Sequence, residues 1–431
     1  MNEKESKMNR FISYLENYFM PIAAKMANQR HLKAIRDGII TTMPLMIIGS
    51  VFMIIAFPPV PILAEFMEPY VSDLVIPTHA TFELMSIVAV FAIAYNLGKS
   101  YNLDGLTSGV LALASFILVT PRTEEGDFPT AIMDSNGLFV AIILAIFSVE
   151  IYRLIVKRNL VIRMPEGVPE AVGTAFTALI PGFTIIFLTW VLRLFLDKTF
   201  DISLHDVITE LVQAPLSQIG GSFLGGLVSI ILIQIFWSAG IHGISVVASV
   251  MAPIWYALTE ENVAAIQAGE PLPNIMTQQM SAIWTAVGGS GMVLALAILL
   301  LFSKSERYKN LGRITIWPSI FNISEPVMFG VPIVMDPILI IPFILAPVIT
   351  YVLTYGAMAL NVVGRPWAVI PWTTPPPFSG WLTTGDWRGA VLMTINLLIS
   401  IAIYYPFFKV VDDRELKVEK ESQENPEVEK T

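Results

Sequence analysis

The sequence predicts an all-α polytopic membrane protein with about ten transmembrane helices plus two re-entrant hairpins. Three observations carry this expectation. Hydrophobic residues make up 55% of the 431-residue chain and charged ones 14%, with a mean hydropathy of +0.67, which no ordinary soluble domain shows. The apolar runs are about 20 residues long, the length needed to cross a hydrocarbon core as a helix. Of 26 lysines and arginines, all but five fall in alternate connections, the asymmetry that marks a cytoplasmic side.

Taken in order, the apolar segments lie near 37–57, 82–98, 104–120, 138–156, 172–195, 222–258, 281–302, 337–360 and 389–411. The leading stretch 1–36 is basic and has no short apolar core with a cleavage site, so no signal peptide is expected. Connections 58–81 and 259–280 carry no lysine or arginine and read as external, as does 193–221. The uncharged run 222–258 between external loops must therefore cross an even number of times. Gly240-Ile241-His242-Gly243 interrupts it, so two spans meeting at that turn are expected. A re-entrant pair of short helices fits the charges equally well. Both termini are then cytoplasmic.

The remaining pieces give a four-part organisation. Residues 1–36 form a cytoplasmic segment in which Phe11, Leu15, Tyr18, Phe19, Ile22 and Met26 recur at helical spacing, as in a helix lying on the membrane or packed against the bundle. Residues 37–221 form an early half. Residues 222–411 form a late half that holds both hairpins, near 314–335 and 361–388. Residues 412–431 form a charged tail with few apolar residues, expected to be frayed. The net charge of −9 comes largely from this tail and short loops, and marks no nucleic-acid partner. The chain has no cysteine, which excludes disulfides, thiolate metal sites and cysteine nucleophiles within it. No metal, phosphate-loop or dinucleotide signature is present, and no cofactor is expected.

The chemistry concentrates in the late half. Glu325 lies in a run from Ile314 to Thr350 whose only other charge is Asp336 and which carries Pro318, Pro326, Pro332, Pro337, Pro342 and Pro347. A carboxylate at membrane depth costs a few kcal/mol or more and marks a functional site by default. Broken backbone there must be buried in protein or line a cavity. Glu325 suits a salt-bridge partner, a proton carrier or a general base; the plain alternative is a carboxylate capping backbone amides. Asn322, three residues earlier, is a candidate for the same ligand or a turn residue. His242 sits between glycines in an uncharged run; a histidine bridging helices is its plain alternative. Trp367, Trp372, Trp381 and Trp387 crowd the second hairpin among Thr373, Thr374, Ser379, Thr383 and Thr384. Tryptophans near a membrane end are either interface anchors or planes on which sugar rings stack. Trp237, Trp372 and Trp381 are the candidates for substrate contact. His31, His79 and His205 receive no role.

Several motifs, in order, carry a resemblance. They are Gln29-Arg30-His31-Leu32 with Ala34-Ile35-Arg36-Asp37-Gly38; Met164-Pro165-Glu166-Gly167-Val168-Pro169; Gly240-Ile241-His242-Gly243; Asn322-Ile323-Ser324-Glu325-Pro326 through Pro332; and Pro371-Trp372-Thr373-Thr374-Pro375 through Gly385-Asp386-Trp387-Arg388-Gly389. Each is weak alone. As an ordered set from about residue 9 to 411, the chain resembles enzyme IIC, the membrane component of the phosphoenolpyruvate-dependent phosphotransferase system, in its lactose/cellobiose/diacetylchitobiose branch. The resemblance implies a homodimer in a bacterial plasma membrane. Its late half carries the sugar and moves as a rigid body, and its early half forms much of the dimer contact. It implies inward transport of a disaccharide released as the 6-phosphate, with phosphate from a phosphocysteine on enzyme IIB. Since this chain lacks cysteine, IIB is expected to be a separate polypeptide. The family's polar pair falls on Glu325 and His242, as groups that hold and activate the attacking hydroxyl. Ser324 and Asp336 depart from the branch pattern and bear on sugar choice. Diacetylchitobiose and cellobiose are the sugars expected. Residue chemistry alone also permits a proton-coupled sugar symporter, or a membrane sugar receptor without an output domain.

Overall fold

The computed structural model describes residues 29–58, 61–123, 125–165, 169–334 and 336–424. The amphipathic stretch expected at 9–29 lies almost wholly outside them. The described residues are helical, without a strand. Six helices are long and apolar enough to cross a membrane, or seven if one bent pair (Leu204–Gly220 with Phe223–Ser238) is a single span, and three more apolar helices are shorter.

The chain enters through α1 (Arg30–Ile40), capped by the Gln29 side chain on the Leu32 amide, and continues past Thr41 and Thr42 into α2 (Met43–Ala56). The first span thus begins before residue 37. Next come α3 (Met85–Ser100), α4 (Gly105–Val119), α5 (Leu138–Lys157) and α6 (Leu179–Phe200). Asp104 caps α4 by accepting from the Thr107 amide. Gly38 is needed where α1 meets α3, because a Cβ there would lie 2.7 Å from the backbone of Ile93.

The late half begins with α7 (Phe223–Ser238) and α8 (Gly243–Ala268), joined by the turn expected at Gly240–Gly243. Gly240 takes φ +77°, and a Cβ on Gly243 would meet the Ile233 carbonyl oxygen at 2.0 Å. The segment expected as a span at 281–302 is broken. A π-helical turn at Met280–Trp284 gives way to irregular backbone, and only α9 (Leu294–Leu301) is regular. Gly288, Gly289 and Gly291 take positive φ values of 83°, 91° and 74°, which L side chains resist.

In the region expected to hold the first hairpin, α10 (Glu306–Ile320) is followed by a turn at 321–324 and by α11 (Glu325–Gly330), with Pro326 in its first turn. Then α12 (Ile340–Ala359) follows. In the second hairpin, residues 361–376 form a largely irregular arm, which leads to α13 (Phe378–Thr384). The arm's polar backbone is satisfied by partners: Trp367 and Ala368 donate to Thr383 O, and Val369 donates to Ser50 Oγ at 2.9 Å. Asn262 Nδ2 donates to Pro366 O. That is the condition for non-helical backbone among membrane helices.

Two buried apolar clusters organise the bundle. One gathers Ile39, Met46, Ile93, Phe116 and Leu138 from α1 to α5 together with Ala252, Tyr256 and Val263 of α8 and Trp367 of the irregular arm. The other gathers Trp284, Met292, Val327, Phe343, Tyr351 and Tyr404 from the late half. Against lipid, such clusters hold by close packing rather than by water exclusion.

The tail corrects an expectation. Instead of fraying after Asp412, α14 continues as one helix over Trp387–Glu424. Its charges have partners at the start of α10. Asp412 accepts from Ser303 Oγ, the Lys304 amide at 3.0 Å and the Ser305 amide at 3.3 Å. Glu419 accepts from Ser305 Oγ and from the Glu306 and Arg307 amides. Two carboxylates thus sit where helix amides lack intrahelical partners. Lys304–Asp413, Arg307–Glu415 and Arg414–Asp336 add ion pairs at 2.9, 2.5 and 2.9 Å. Charge alone reads as disorder, but complementary charge on a distant turn reverses that. Replacing the buried Asp412 by alanine should cost about 2–4 kcal/mol, since three donors lose their acceptor. It should lower the melting temperature in detergent more than Asp413→Ala does, at the half-buried neighbour; equal shifts would refute this account of the tail.

Candidate functional site

One cavity of about 350 Å³ lies where the two halves meet, within the size range of small-molecule sites. Arg36, Ile40 and Met43 reach it from α1 and α2; the α7–α8 turn, the broken segment 278–290, the 322–325 turn and the 369–372 arm supply most of the rest. His242, Glu325, Asn322, Trp237 and Trp372, distant in the chain, all line it. Trp381 is not among the lining residues.

His242 does two jobs by position. As N-cap of α8, its Nδ1 accepts from the Ser245 amide at 3.2 Å, and the Ser245 hydroxyl lies 3.0 Å away. A ring nitrogen that accepts an amide proton carries none itself, so the neutral imidazole holds its proton on Nε2. The indole of Trp237 packs on the ring at a 4.4 Å centroid separation. Nδ1 thus caps α8, the ring packs on Trp237 of α7, and Nε2 has no hydrogen-bond partner among the described residues.

Glu325 is half-buried at the first position of α11. No hydrogen bond or ion pair engages its carboxylate among the described residues, which removes the capping alternative. Glu325 and Arg36 are the only lining residues with a formal charge at neutral pH.

Asn322 lines the cavity but spends its amide on protein. It takes φ +62°; its Nδ2 donates to Trp372 O at 2.7 Å and Thr374 O at 3.1 Å, and its Oδ1 accepts from the Gly288 amide at 2.8 Å. It clasps the hairpin turn, the glycine-rich break and the arm together. Among the four tryptophans of the second hairpin, Trp367 is buried and donates to Thr384 O, Trp387 is exposed, and Trp372 alone reaches the cavity. Ser324 lines the cavity, whereas Asp336 does not; its carboxylate holds Arg414 and the Ile338 and Leu339 amides. Of the two departures from the branch pattern, only Ser324 is placed to touch a ligand.

The model for the family described as "Phosphotransferase system, EIIC" matches residues 36–347. The chain belongs to the EIIC family. It is 48% identical, over 96% of each chain, to the lichenan permease IIC component of Bacillus subtilis (strain 168). It is 46% identical to the cellobiose-specific EIIC component of Geobacillus stearothermophilus, over 94% of this chain and 95% of that one. Its structure superposes, with a TM-score of 0.91 and 45% identity, on the crystal structure of the transporter ChbC, the IIC component from the N,N'-diacetylchitobiose-specific phosphotransferase system, covering 94% of this chain and 99% of that one. This EIIC is thus a multi-pass integral membrane component that binds sugar and works with a separate IIB.

Sequence reasoning missed several residues of the EIIC cavity. Gln278, Gln279 and Ser290 line it, and each has a buried oxygen without a protein partner, as has the Trp237 indole nitrogen. Buried polar atoms left open in this way are matched by a polyhydroxylated ligand or water. The signal was Gly288-Gly289-Ser290-Gly291 within an apolar run, which breaks the helix and exposes polar groups.

The two jobs of His242 can be separated. His242→Asn keeps a good N-cap and removes the Nε2 donor. It should melt close to the parent protein yet weaken sugar binding about tenfold, the weight of one hydrogen bond to a buried polar ligand. Unchanged binding by isothermal calorimetry would leave the imidazole a cap and nothing more.

Proposed function

We propose that this EIIC is the permease for a β-linked disaccharide of the diacetylchitobiose or cellobiose type, carrying it inward and presenting its 6-hydroxyl to phosphorylated IIB. The observation that carries the proposal is the Glu325 carboxylate, without a protein partner, sharing one cavity with His242. The relatives named for lichenan, cellobiose and diacetylchitobiose support the sugar class.

In this reading Glu325 accepts the hydrogen bond of the sugar hydroxyl and His242 donates from Nε2 to a sugar oxygen. The hydroxyl oxygen then bonds phosphorus as the phosphorus–sulfur bond of a phosphocysteine on IIB breaks. The thiolate leaves on IIB and the hydroxyl proton passes to Glu325. Phosphoryl transfer depends chiefly on alignment and charge placement, which a fixed acid and a fixed donor supply. Trp237 and Trp372 offer aromatic planes to the sugar rings.

Finer features belong to the same proposal. We infer ten spans with both termini cytoplasmic, a homodimer in the bacterial plasma membrane, an early half (37–221) at the dimer contact, and a late half (222–411) that moves with the sugar. Because the chain has no cysteine, single replacements report topology directly. Asp127→Cys should react with an impermeant maleimide in intact cells and Lys99→Cys only after lysis; the reverse pattern would overturn the orientation.

The deciding experiment uses proteoliposomes and labelled cellobiose, with and without phosphorylated IIB. Phosphosugar should accumulate only with phosphorylated IIB. Accumulation driven by a pH gradient without phosphosugar would instead make the protein a proton symporter, and binding without flux a receptor.

A further inference from the structure

Arg36 stands out once the cavity is assembled. A neutral disaccharide needs no cation, and an arginine side chain only 18% exposed pays desolvation that needs compensation. Its position is set by the helix: Arg36, Ile40 and Met43 form a stripe at i, i+4 and i+7 along α1 and α2, while Ala34, Ile35, Gly38 and Ile39 face inward. Asp37 occupies part of the guanidinium. Nε and Nη2 both donate to Asp37 Oδ1, at 2.9 and 2.7 Å. Neighbours in a helix do not ordinarily face each other, so Arg36 folds back to make this contact. The contact holds the guanidinium by one edge and leaves Nη1 with no protein partner among the described residues. Arg36 and Glu325 are also the two charged side chains that act electrostatically on His242.

We propose that Arg36 is the phosphate-binding residue of this cavity, receiving the dianionic phosphate monoester of the phosphorylated sugar, with Asp37 as its positioning residue. The proposal rests on the permease reading above. The charge balance favours it. Once the sugar carries a phosphate, two negative charges lie in a cavity whose only other charged lining residue is Glu325. A cation with an open edge offsets that repulsion, and a guanidinium fits phosphate oxygens in a way an ammonium does not. Arg36 lies on α1, which packs against α3 of the early half, and Glu325 lies in the late half, so the product bridges both while the substrate needs only the late one. The pocket then distinguishes a sugar before transfer from the same sugar after it.

The test compares cellobiose with cellobiose 6-phosphate by calorimetry on the full-length protein in phospholipid-free detergent, with inorganic phosphate as competitor. For the wild-type protein, phosphate should displace the 6-phosphate and leave cellobiose bound. Arg36→Gln should weaken the 6-phosphate about tenfold or more, the range for hydrogen bonds to a charged group, and leave cellobiose within twofold. Retained cellobiose affinity shows that the variant is folded. Arg36→Lys, which keeps charge and loses the fork, should fall between. If Arg36→Gln does not fold, the lysine variant decides: a 6-phosphate affinity equal to wild type would overturn the proposal. Equal loss of both sugars, or no change in either, would also overturn it. A difference seen only in anionic lipid nanodiscs would assign Arg36 to a lipid headgroup and refute the sugar-phosphate role. Wild-type protein that yields no phosphosugar with phosphorylated IIB would sink the permease reading itself, whereas normal transfer by wild type with unaltered 6-phosphate affinity in the variant would sink only the Arg36 assignment.

Discussion

Glu325→Gln should cut phosphosugar formation by about 100-fold or more, the usual weight of a positioned general base, while cellobiose binding changes only a few-fold. The carboxylate has no protein partner to lose, so the substitution removes an anion without leaving a buried donor unsatisfied. Glutamine has the same shape and can still hydrogen-bond a hydroxyl. What it cannot do is take the hydroxyl proton or polarise the oxygen with a full charge. Glu325→Asp keeps the charge but sits one methylene short, and should recover part of the rate. The measurement is single-turnover transfer from phosphorylated IIB in proteoliposomes. Undiminished transfer by the glutamine variant would remove Glu325 from the chemistry and leave it a binding group. A collapse of cellobiose binding in step with rate would show that it acts on the ground state instead.

Gly289→Ala is expected to damage the cavity more than any single loss of a ligand contact. Gly289 takes φ +91°, and its Cβ would lie 2.6 Å from Ser324 Cβ and 2.7 Å from Asn322 O. Strained backbone and forced overpacking together cost about 3 kcal/mol or more. The site cannot yield cheaply, because Asn322 already ties this break to the 322–325 turn and to the arm bearing Trp372. Displacing the turn moves Glu325 with it. Both the melting temperature and cellobiose affinity should therefore fall, the latter by at least tenfold. Gly356→Ala is the control: apart from the local backbone of its own helix, no atom of the described residues lies within 4 Å of the added carbon, and the position is helical. A Gly289→Ala protein with wild-type binding would show that the clasp does not set the geometry of the acid.

Much of this protein was readable residue by residue. The helical pair around Gly240–Gly243 followed from charge parity, and the broken backbone near 321–324 and 361–376 from proline spacing. His242 and Glu325 were conspicuous because an ionisable group among apolar residues is rare and costly. Other features were opaque for definite reasons. Arg36 looked like one more cytoplasmic cation, because nothing local says that α1 turns this face toward the late half. Asn322 stayed open between a ligand contact and a turn residue, since its clasp joins residues 288, 322 and 372, which no periodicity relates. The break within residues 281–302 was hidden because hydropathy is insensitive to a glycine's φ.

The sequence by itself determined that this chain is helical, spans a membrane several times and hides an acid and an imidazole among apolar residues. Those properties follow from composition, run length and the cost of burying charge, which are local and additive. Tertiary structure alone decided which polar groups share a cavity, which are consumed in holding it together and which remain open. It turned a charged tail into a helix by giving its carboxylates the amides of a distant turn. It brought Arg36 to the same space as Glu325. Pairing of this kind depends on three-dimensional proximity, because a polar group's fate is set by the partner it meets rather than by its neighbours in the chain.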